Sequence, residues 1–243
     1  MAQTLEQDFF GGAIRGVVPQ RWIDASNLRE IPDHQEIFLS PESLSNMIVE
    51  INQRVSKEDA LNTLATLSHQ HPTLAAGCGN ISSATPETLD QAAVLYHLHD
   101  LCDEGDAMQI VTPPQRVSAS RLGVSAPPGS VFSAYKGIVQ FKTASRKRGA
   151  RVADASNASA VDSAVAGASV DGEAGLSSRL TCHYLLVRLE SQETDLLVFF
   201  NVPHEEFDKS GDVQGLSREE TVADDTVRAL TEKLEIRDWG LFV

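Results

Sequence analysis

Two strongly β-type runs, Thr181–Glu190 and Asp195–Val202, are separated only by the polar connection Ser191-Gln-Glu-Thr194. β-branched, aromatic and long aliphatic residues dominate both runs, and so short a polar link between them is a hairpin signal. A hairpin forces its strands to run antiparallel, which excludes a purely parallel sheet. Further strand material is expected at Gln35–Leu39, Gln109–Thr112 and Val131–Lys142. The sum is five to seven strands with helices that do not alternate with them one for one, hence an α+β class with a largely antiparallel sheet.

Helix signals are fewer. Ser56-Lys-Glu-Asp59 offers a capping box ahead of Leu61, Leu64 and Leu67, and Ser217-Arg-Glu-Glu220 another ahead of Val227, Leu230 and Leu234. Met47–Ile51 is too short for periodicity to separate strand from helix. Phe9–Val18 reads as a turn at Gly11-Gly12 followed by a short strand, and Trp22–Arg29 as a turn or short helix with Asp24 and Ser26 as caps. The apolar tail Trp239–Val243 is expected to pack down.

Two stretches read as insertions. Ser68–Thr88 shifts to Gly, Ser, Thr, Pro and His without a sustained period. In Ala150–Ser178, 18 of 29 residues are Ala, Ser or Gly. Such a segment buries too little apolar area to offset an ordering cost of roughly 1–2 kcal/mol per residue. Because strand signals flank it on both sides, it is expected as a flexible excursion within one domain. The organisation expected is thus a single domain over 1–243, with insertions at about 68–88 and 144–180.

Composition narrows the function. The 243 residues include 20 basic and 34 acidic side chains, a formal net charge of −14. A negative surface repels phosphate backbones, so direct nucleic-acid binding is not expected and a basic protein surface is the better-matched partner. Cys78, Cys102 and Cys182 are widely spaced, odd in number and form no C-x-x-C. That argues against a disulfide framework and fits a reducing compartment. The N-terminus lacks a basic n-region and an apolar h-region, and no apolar stretch approaches ~18 residues, so neither signal peptide nor membrane span is expected.

Catalytic patterns are mostly missing. The sequence contains no G-x-x-x-x-G-K-[ST], no G-x-G-x-x-G and no G-x-S-x-G. His69-Gln-His71 and His97-Leu-His99 are i, i+2 pairs that a strand would place on one face, but no H-E-x-x-H accompanies them and no metal or other cofactor is expected. Arg146-Lys-Arg148 with Arg151 reads as a solvated basic run at the start of the second insertion.

The N-terminal carboxylates carry more. Asp8, Asp24, Glu30, Asp33 and Glu36 lie among turns and strand starts together with Arg15, Arg21 and Arg29. Carboxylates on a rigid, turn-rich surface can take Arg or Lys from a partner through charge-assisted hydrogen bonds. Phe10, Trp22 and Phe38 are the aromatic residues beside them, and packing between sheet and helix is the expected use of each.

At this segment the sequence resembles a known family. Phe10-Gly-Gly-Ala-Ile14, Asp24-Ala-Ser-Asn-Leu-Arg29 and Ile31-Pro-Asp-His-Gln-Glu-Ile-Phe38 look like the signature of the Ran guanine nucleotide release factors, the Mog-type nuclear import regulators. Leu95–Asp100 is similar to the family's central aromatic-His strand, Tyr135–Lys142 to its Gly-x-x-Gln strand, Leu186–Pro203 to its terminal hairpin, and Leu234–Asp238 with Phe242 to its tail. The stretches outside the resemblance are the two insertions.

The resemblance implies a three-layer α/β/α sandwich with a mostly antiparallel, about six-stranded sheet, as in the photosystem protein PsbP. It implies binding to the small GTPase Ran and release of its guanine nucleotide, chiefly GTP, in support of nuclear protein import. The chain is then a regulator and not an enzyme, at work in nucleus and cytoplasm, with a Ran-binding protein left open as a further partner. The lack of a long exposed apolar stripe separately points to a monomer. The family's Ran-binding positions carry over as Asp24, Asp33 and Glu36, with Arg29 beside them. His34 stands where the family often has Asn, and Asn27 where an acidic residue is common. The competing expectation is a PsbP-like adaptor that binds a protein without affecting nucleotide exchange.

Overall fold

The hairpin forms, and it lies near the middle of a seven-stranded sheet. The computed structural model describes residues 2–28, 30–67, 84–102, 105–143 and 178–242. In chain order these give β1 (Thr4–Phe9), β2 (Ile14–Pro19), β3 (Ile23–Asp24), β4 (Gln35–Leu39), β5 (Asn46–Gln53), α1 (Lys57–Leu67) and α2 (Pro86–Asp100). They continue with β6 (Ala107–Val117), β7 (Phe132–Thr143), β8 (Ser178–Leu189), β9 (Thr194–Pro203), α3 (Glu205–Ser210), α4 (Val213–Lys233) and β10 (Glu235–Ile236). Short 3-10 turns follow β1, β3, β8 and β10.

The large sheet has the order β3-β4-β5-β9-β8-β7-β6, and every neighbouring pair is antiparallel. A second, three-stranded antiparallel sheet has the order β1-β2-β10. The α+β class is therefore observed, with seven strands in the main sheet where about six were expected, and with the N-terminal strands forming a sheet of their own.

Strands β8 and β9 are buried almost without interruption, because both faces of the sheet are covered. Alternation divides their residues between two cores. Leu185, Val187, Leu196, Val198 and Phe200 pack with Ile14, Val17, Ala223, Val227 and Leu230, on the side of α4 and the small sheet. Tyr184, Leu186, Leu197 and Phe199 pack with Val94, Leu95 and Leu98 of α2 on the other side. Gly16 lets β2 come close to α4, since a Cβ there would lie 3.0 Å from Leu230 and 2.5 Å from the Phe9 ring.

Phe38 is buried edge-on against Phe9 at 5.6 Å, and Trp22 leans on Phe200 at 4.8 Å. Phe10 also packs against the first core. The three aromatics beside the acidic segment thus serve sheet packing, as expected.

Several expectations change. Leu95–Asp100 is the C-terminal part of α2 and not a strand. Thr85 caps this helix by accepting from the Thr88 amide, and Pro86 occupies its first turn. Both signals fall inside the stretch read as an insertion, which is why the helix start was missed. On a helix, positions i and i+2 point about 200° apart. His97 is consequently buried while His99 is exposed, so the one-face histidine pair does not exist. Helix α4 begins at Val213 with Asp212 accepting from the Gly215 amide, so Ser217 lies within it. Of the expected insertions, 68–83 and 144–177 lie outside the described residues, as do His69, His71 and the basic run at 146–151. Residues 86–88 are helical and 178–180 belong to β8.

A buried ionic network fastens α2 to the hairpin. Arg188 donates from Nε to Asp195 at 2.9 Å, from Nη1 to Asp90 at 2.8 Å and from Nη2 to the Val55 carbonyl at 2.7 Å. Asp195 also accepts from the Val55 amide and meets His97 Nε2, each at 2.9 Å. Asp90 takes the Ser133 and Tyr135 hydroxyls. The charges are desolvated but each is bonded, the condition under which burying them is tolerated.

Candidate protein-binding edge of the large sheet

The acidic residues singled out from sequence gather where the large sheet ends. Strand β3 is its edge strand and pairs with β4, so that Asp24 stands opposite Phe38. Asp24 opens the 3-10 turn Ala25–Asn27, and its Oδ1 accepts from the Ser26 amide at 2.8 Å and the Ser26 hydroxyl at 2.6 Å. The Asp24 and Ser26 caps read from sequence are therefore one capping contact.

Asp33 sits in the turn that leads into β4, a turn closed by the Gln35 amide donating to the Pro32 carbonyl at 2.9 Å. Its side chain is exposed and makes no hydrogen bond or ion pair among the described residues. Like Glu30, it is exposed and open to a cation from outside.

Glu36 differs. Strand alternation places it on the same face as Phe38 and Asp24, the face toward β1 and β2. It is half-buried, and its Oε1 accepts the Phe10 amide proton at 2.5 Å. Burial pushes its carboxyl above the usual range, the Phe10 amide pulls the other way, and the charge of Asp24 adds to the rise. The structure thus brings Asp24 and Glu36 together and leaves Asp33 on the neighbouring turn. Arg29 lies outside the described residues.

The other arginines expected among these acids are committed elsewhere. Arg15 pairs with Glu6, and Arg21 with Glu42. Asp8, on β1, meets Arg237 at 3.3 Å and belongs to the small sheet.

Two features of this edge were not legible beforehand. Large apolar side chains stand exposed beside the acids, Leu28 at 65% and Ile23 at 42%. Ile23 directly precedes Asp24, and Leu28 follows the 3-10 turn that Asp24 caps. The second feature is the turn Phe10–Gly12, in which Phe10, Gly11 and Gly12 have φ of +50°, +65° and +92°. Only glycine adopts that region freely, and a phenylalanine held there stores roughly 1–3 kcal/mol. Gly11-Gly12 was the available sequence signal; the carboxylate that holds Phe10 lies 26 residues away and left none.

A cavity of about 160 Å³ lies under α4, lined by Thr112, Gln115, Lys136, His183, Asp224 and Val227. Burial holds the His183 imidazole below its usual pKa, with Lys136 adding to the fall and the nearby Asp224 and Glu220 charges opposing it. Among the described residues, no three of His, Cys, Asp and Glu are grouped to hold a metal ion. No described helix is long and apolar enough to cross a membrane.

Fold and edge together define an α+β domain with carboxylates gathered at one edge of its large sheet. The Mog1 family model, described as Ran-interacting Mog1 protein, matches residues 7–203, and the chain belongs to that family. Among curated relatives, it is 34% identical over 80 residues to the probable Ran guanine nucleotide release factor of Dictyostelium discoideum, covering 32% of this chain and 40% of that protein. It is 41% identical over 61 residues to the nuclear import protein MOG1 of Saccharomyces cerevisiae, covering 25% and 22%. The matched segments span 40% or less of these relatives' lengths. Over the full length of both chains, the crystal structure of the S. cerevisiae Ran-binding protein Mog1p is similar with a TM-score of 0.49 at 19% identity. The solution structure of cyanobacterial PsbP from Synechocystis gives 0.42 at 7% identity, covering 97% of this chain and 94% of that one.

Proposed function

We propose that this protein binds the small GTPase Ran and promotes release of its guanine nucleotide, chiefly GTP, in support of nuclear protein import. The observation that carries the reading is membership of the Mog1 family over residues 7–203, a span that contains the whole acidic edge. Relatives bearing the names Ran guanine nucleotide release factor and nuclear import protein support it.

In this reading Asp33 and Asp24 accept hydrogen bonds from Lys or Arg on the GTPase, while Leu28 and Ile23 supply apolar contact area. A protein that binds the nucleotide-free GTPase more tightly than the GTP-bound form weakens GTP binding by the same factor, because the coupling is reciprocal. No bond in the nucleotide is made or broken by this chain, so it acts as a regulator and not an enzyme. It works as a monomer, as one domain over 1–243 in the PsbP-like three-layer arrangement, in nucleus and cytoplasm, with a Ran-binding protein as a further partner.

The test is release of a fluorescent GTP analogue from Ran, with and without the protein, at two salt concentrations. Accelerated release that fades at high salt is expected, since charge-steered association is screened. Binding without accelerated release would leave a PsbP-like adaptor. No binding would leave the family's fold without its function.

A further inference from the structure

Asp24 holds the Ser26 amide of its own turn, whereas Glu36 holds the amide of Phe10, 26 residues away, in a turn where Phe10, Gly11 and Gly12 are left-handed in succession. The turn is fixed on each side. Phe9 is fully buried against Phe38, and the Ala13 carbonyl accepts from the Arg237 and Asp238 amides at 2.8 and 3.1 Å. Between these anchors the Phe10 amide is held by Glu36 Oε1 at 2.5 Å.

The outer side of the turn is open. A Cβ built at Gly11 or Gly12 would meet nothing within 4 Å. The two glycines are therefore required by conformation and not by packing, and they leave peptide groups that another chain can approach without meeting a side chain.

We propose that Glu36 is a positioning residue of the partner surface, whose carboxylate holds the bare-backbone turn Phe10–Gly12 in place for contact, while Asp33 supplies charge to the same partner. This rests on the Ran-binding reading above and deepens it, because it divides acids of similar appearance into one that meets the partner and one that shapes what the partner meets. A glutamine at position 36 separates the two roles, since it keeps an oxygen acceptor for the Phe10 amide and removes the charge.

The experiment measures Ran affinity against salt for the full chain carrying Glu36→Gln, Glu36→Ala, Gly11→Ala or Asp33→Asn, together with exchange of the Phe10 amide by NMR. Glu36→Gln is expected to bind within about threefold of wild type, with unchanged salt dependence and a protected Phe10 amide. Glu36→Ala is expected to weaken binding about tenfold or more and to lose that protection while the hairpin amides stay protected. Gly11→Ala should weaken binding comparably with every charge intact, which keeps the test decisive where Glu36→Ala folds poorly. Asp33→Asn should weaken binding and flatten its salt dependence. Glu36→Gln as damaging as Glu36→Ala, a Phe10 amide still protected in Glu36→Ala, or Gly11→Ala binding like wild type would each overturn the proposal. Failure of the wild-type protein to bind Ran would overturn the functional reading and the contact assigned to the turn, and Phe10 exchange would still decide whether Glu36 is the clamp.

Discussion

Arg188 and Asp195 face each other directly across the β8–β9 hairpin and are joined through Nε and Oδ1 at 2.9 Å, both with less than 4% of their surface exposed. From this pair, bonds run to Asp90 and His97 on α2 and to both backbone groups of Val55, between β5 and α1. One guanidinium and one carboxylate thus connect the hairpin to the helix covering one face and to the segment that leads into α1.

Arg188→Ala strands two carboxylates in a desolvated site and is expected to destabilise the protein by about 3–5 kcal/mol. Arg188→Met fills the volume but leaves Asp195 and Asp90 equally unpaired, so it should recover only part of the loss. Urea denaturation of the three proteins checks both statements.

Acid should weaken the fold in two stages. Burial lowers the pKa of His183 and His204, and Arg179 lowers that of His204 further, against the opposing pull of nearby carboxylates. The unfolded chain therefore binds these protons first. The stability their neutral forms contribute is present above the ordinary histidine pKa near 6.5 and is lost as pH falls through the lowered folded values. Burial alone would raise Asp195, but the His97 bond, the Arg188 charge and the Val55 amide hold it below the usual carboxylate range. Its contribution is present above the unfolded value near 3.9 and fades only as pH falls through the depressed folded one. Unfolding free energy measured from pH 8 to 3 should fall first around pH 6.5 and below, and His183→Gln with His204→Gln should flatten that first stage.

Gly137→Ala should be among the most damaging single-methyl changes. The added Cβ would press on the Tyr184 hydroxyl and lie 2.7 Å from the Thr112 carbonyl oxygen, a backbone atom of the adjacent strand. Overpacking typically costs about 1–3 kcal/mol, and a clash with a strand backbone belongs at the upper end. Gly12→Ala carries only the left-handed penalty, on the order of 1–2 kcal/mol. Thermal melts of the two variants should differ in that order.

The parts legible in sequence were those whose cause is local. The β8–β9 hairpin, β4 and the Ser56 start of α1 follow from runs and caps within a few residues, and each was placed close to its observed position. Helix α2 was missed because its cap, Thr85, and its first-turn Pro86 stand at the end of a polar stretch that resembled a loop. At the candidate site, the placing of Asp33 on a turn agreed with the expectation that the acids lie among turns and strand starts. The half-buried state of Glu36 was not legible, because it depends on β1 and β2 folding over that face. The ionic network was equally invisible: Asp90 and Arg188 are 98 residues apart, and nothing in either neighbourhood points to the other.

The last rung of the β7–β8 ladder pairs Thr143 with Ser178. Where the chain leaves the sheet at 143 and where it returns at 178 are therefore neighbouring positions on adjacent strands, fixed by the ladder itself. Closing a chain between two points already held together becomes only slightly harder as it lengthens, by about 0.6 kcal/mol per doubling. The domain thus has a port: the sheet specifies the two ends, and the closure term depends only weakly on the length of sequence between them. A reporter spliced between these two points would meet a closure cost that grows only slowly with its length.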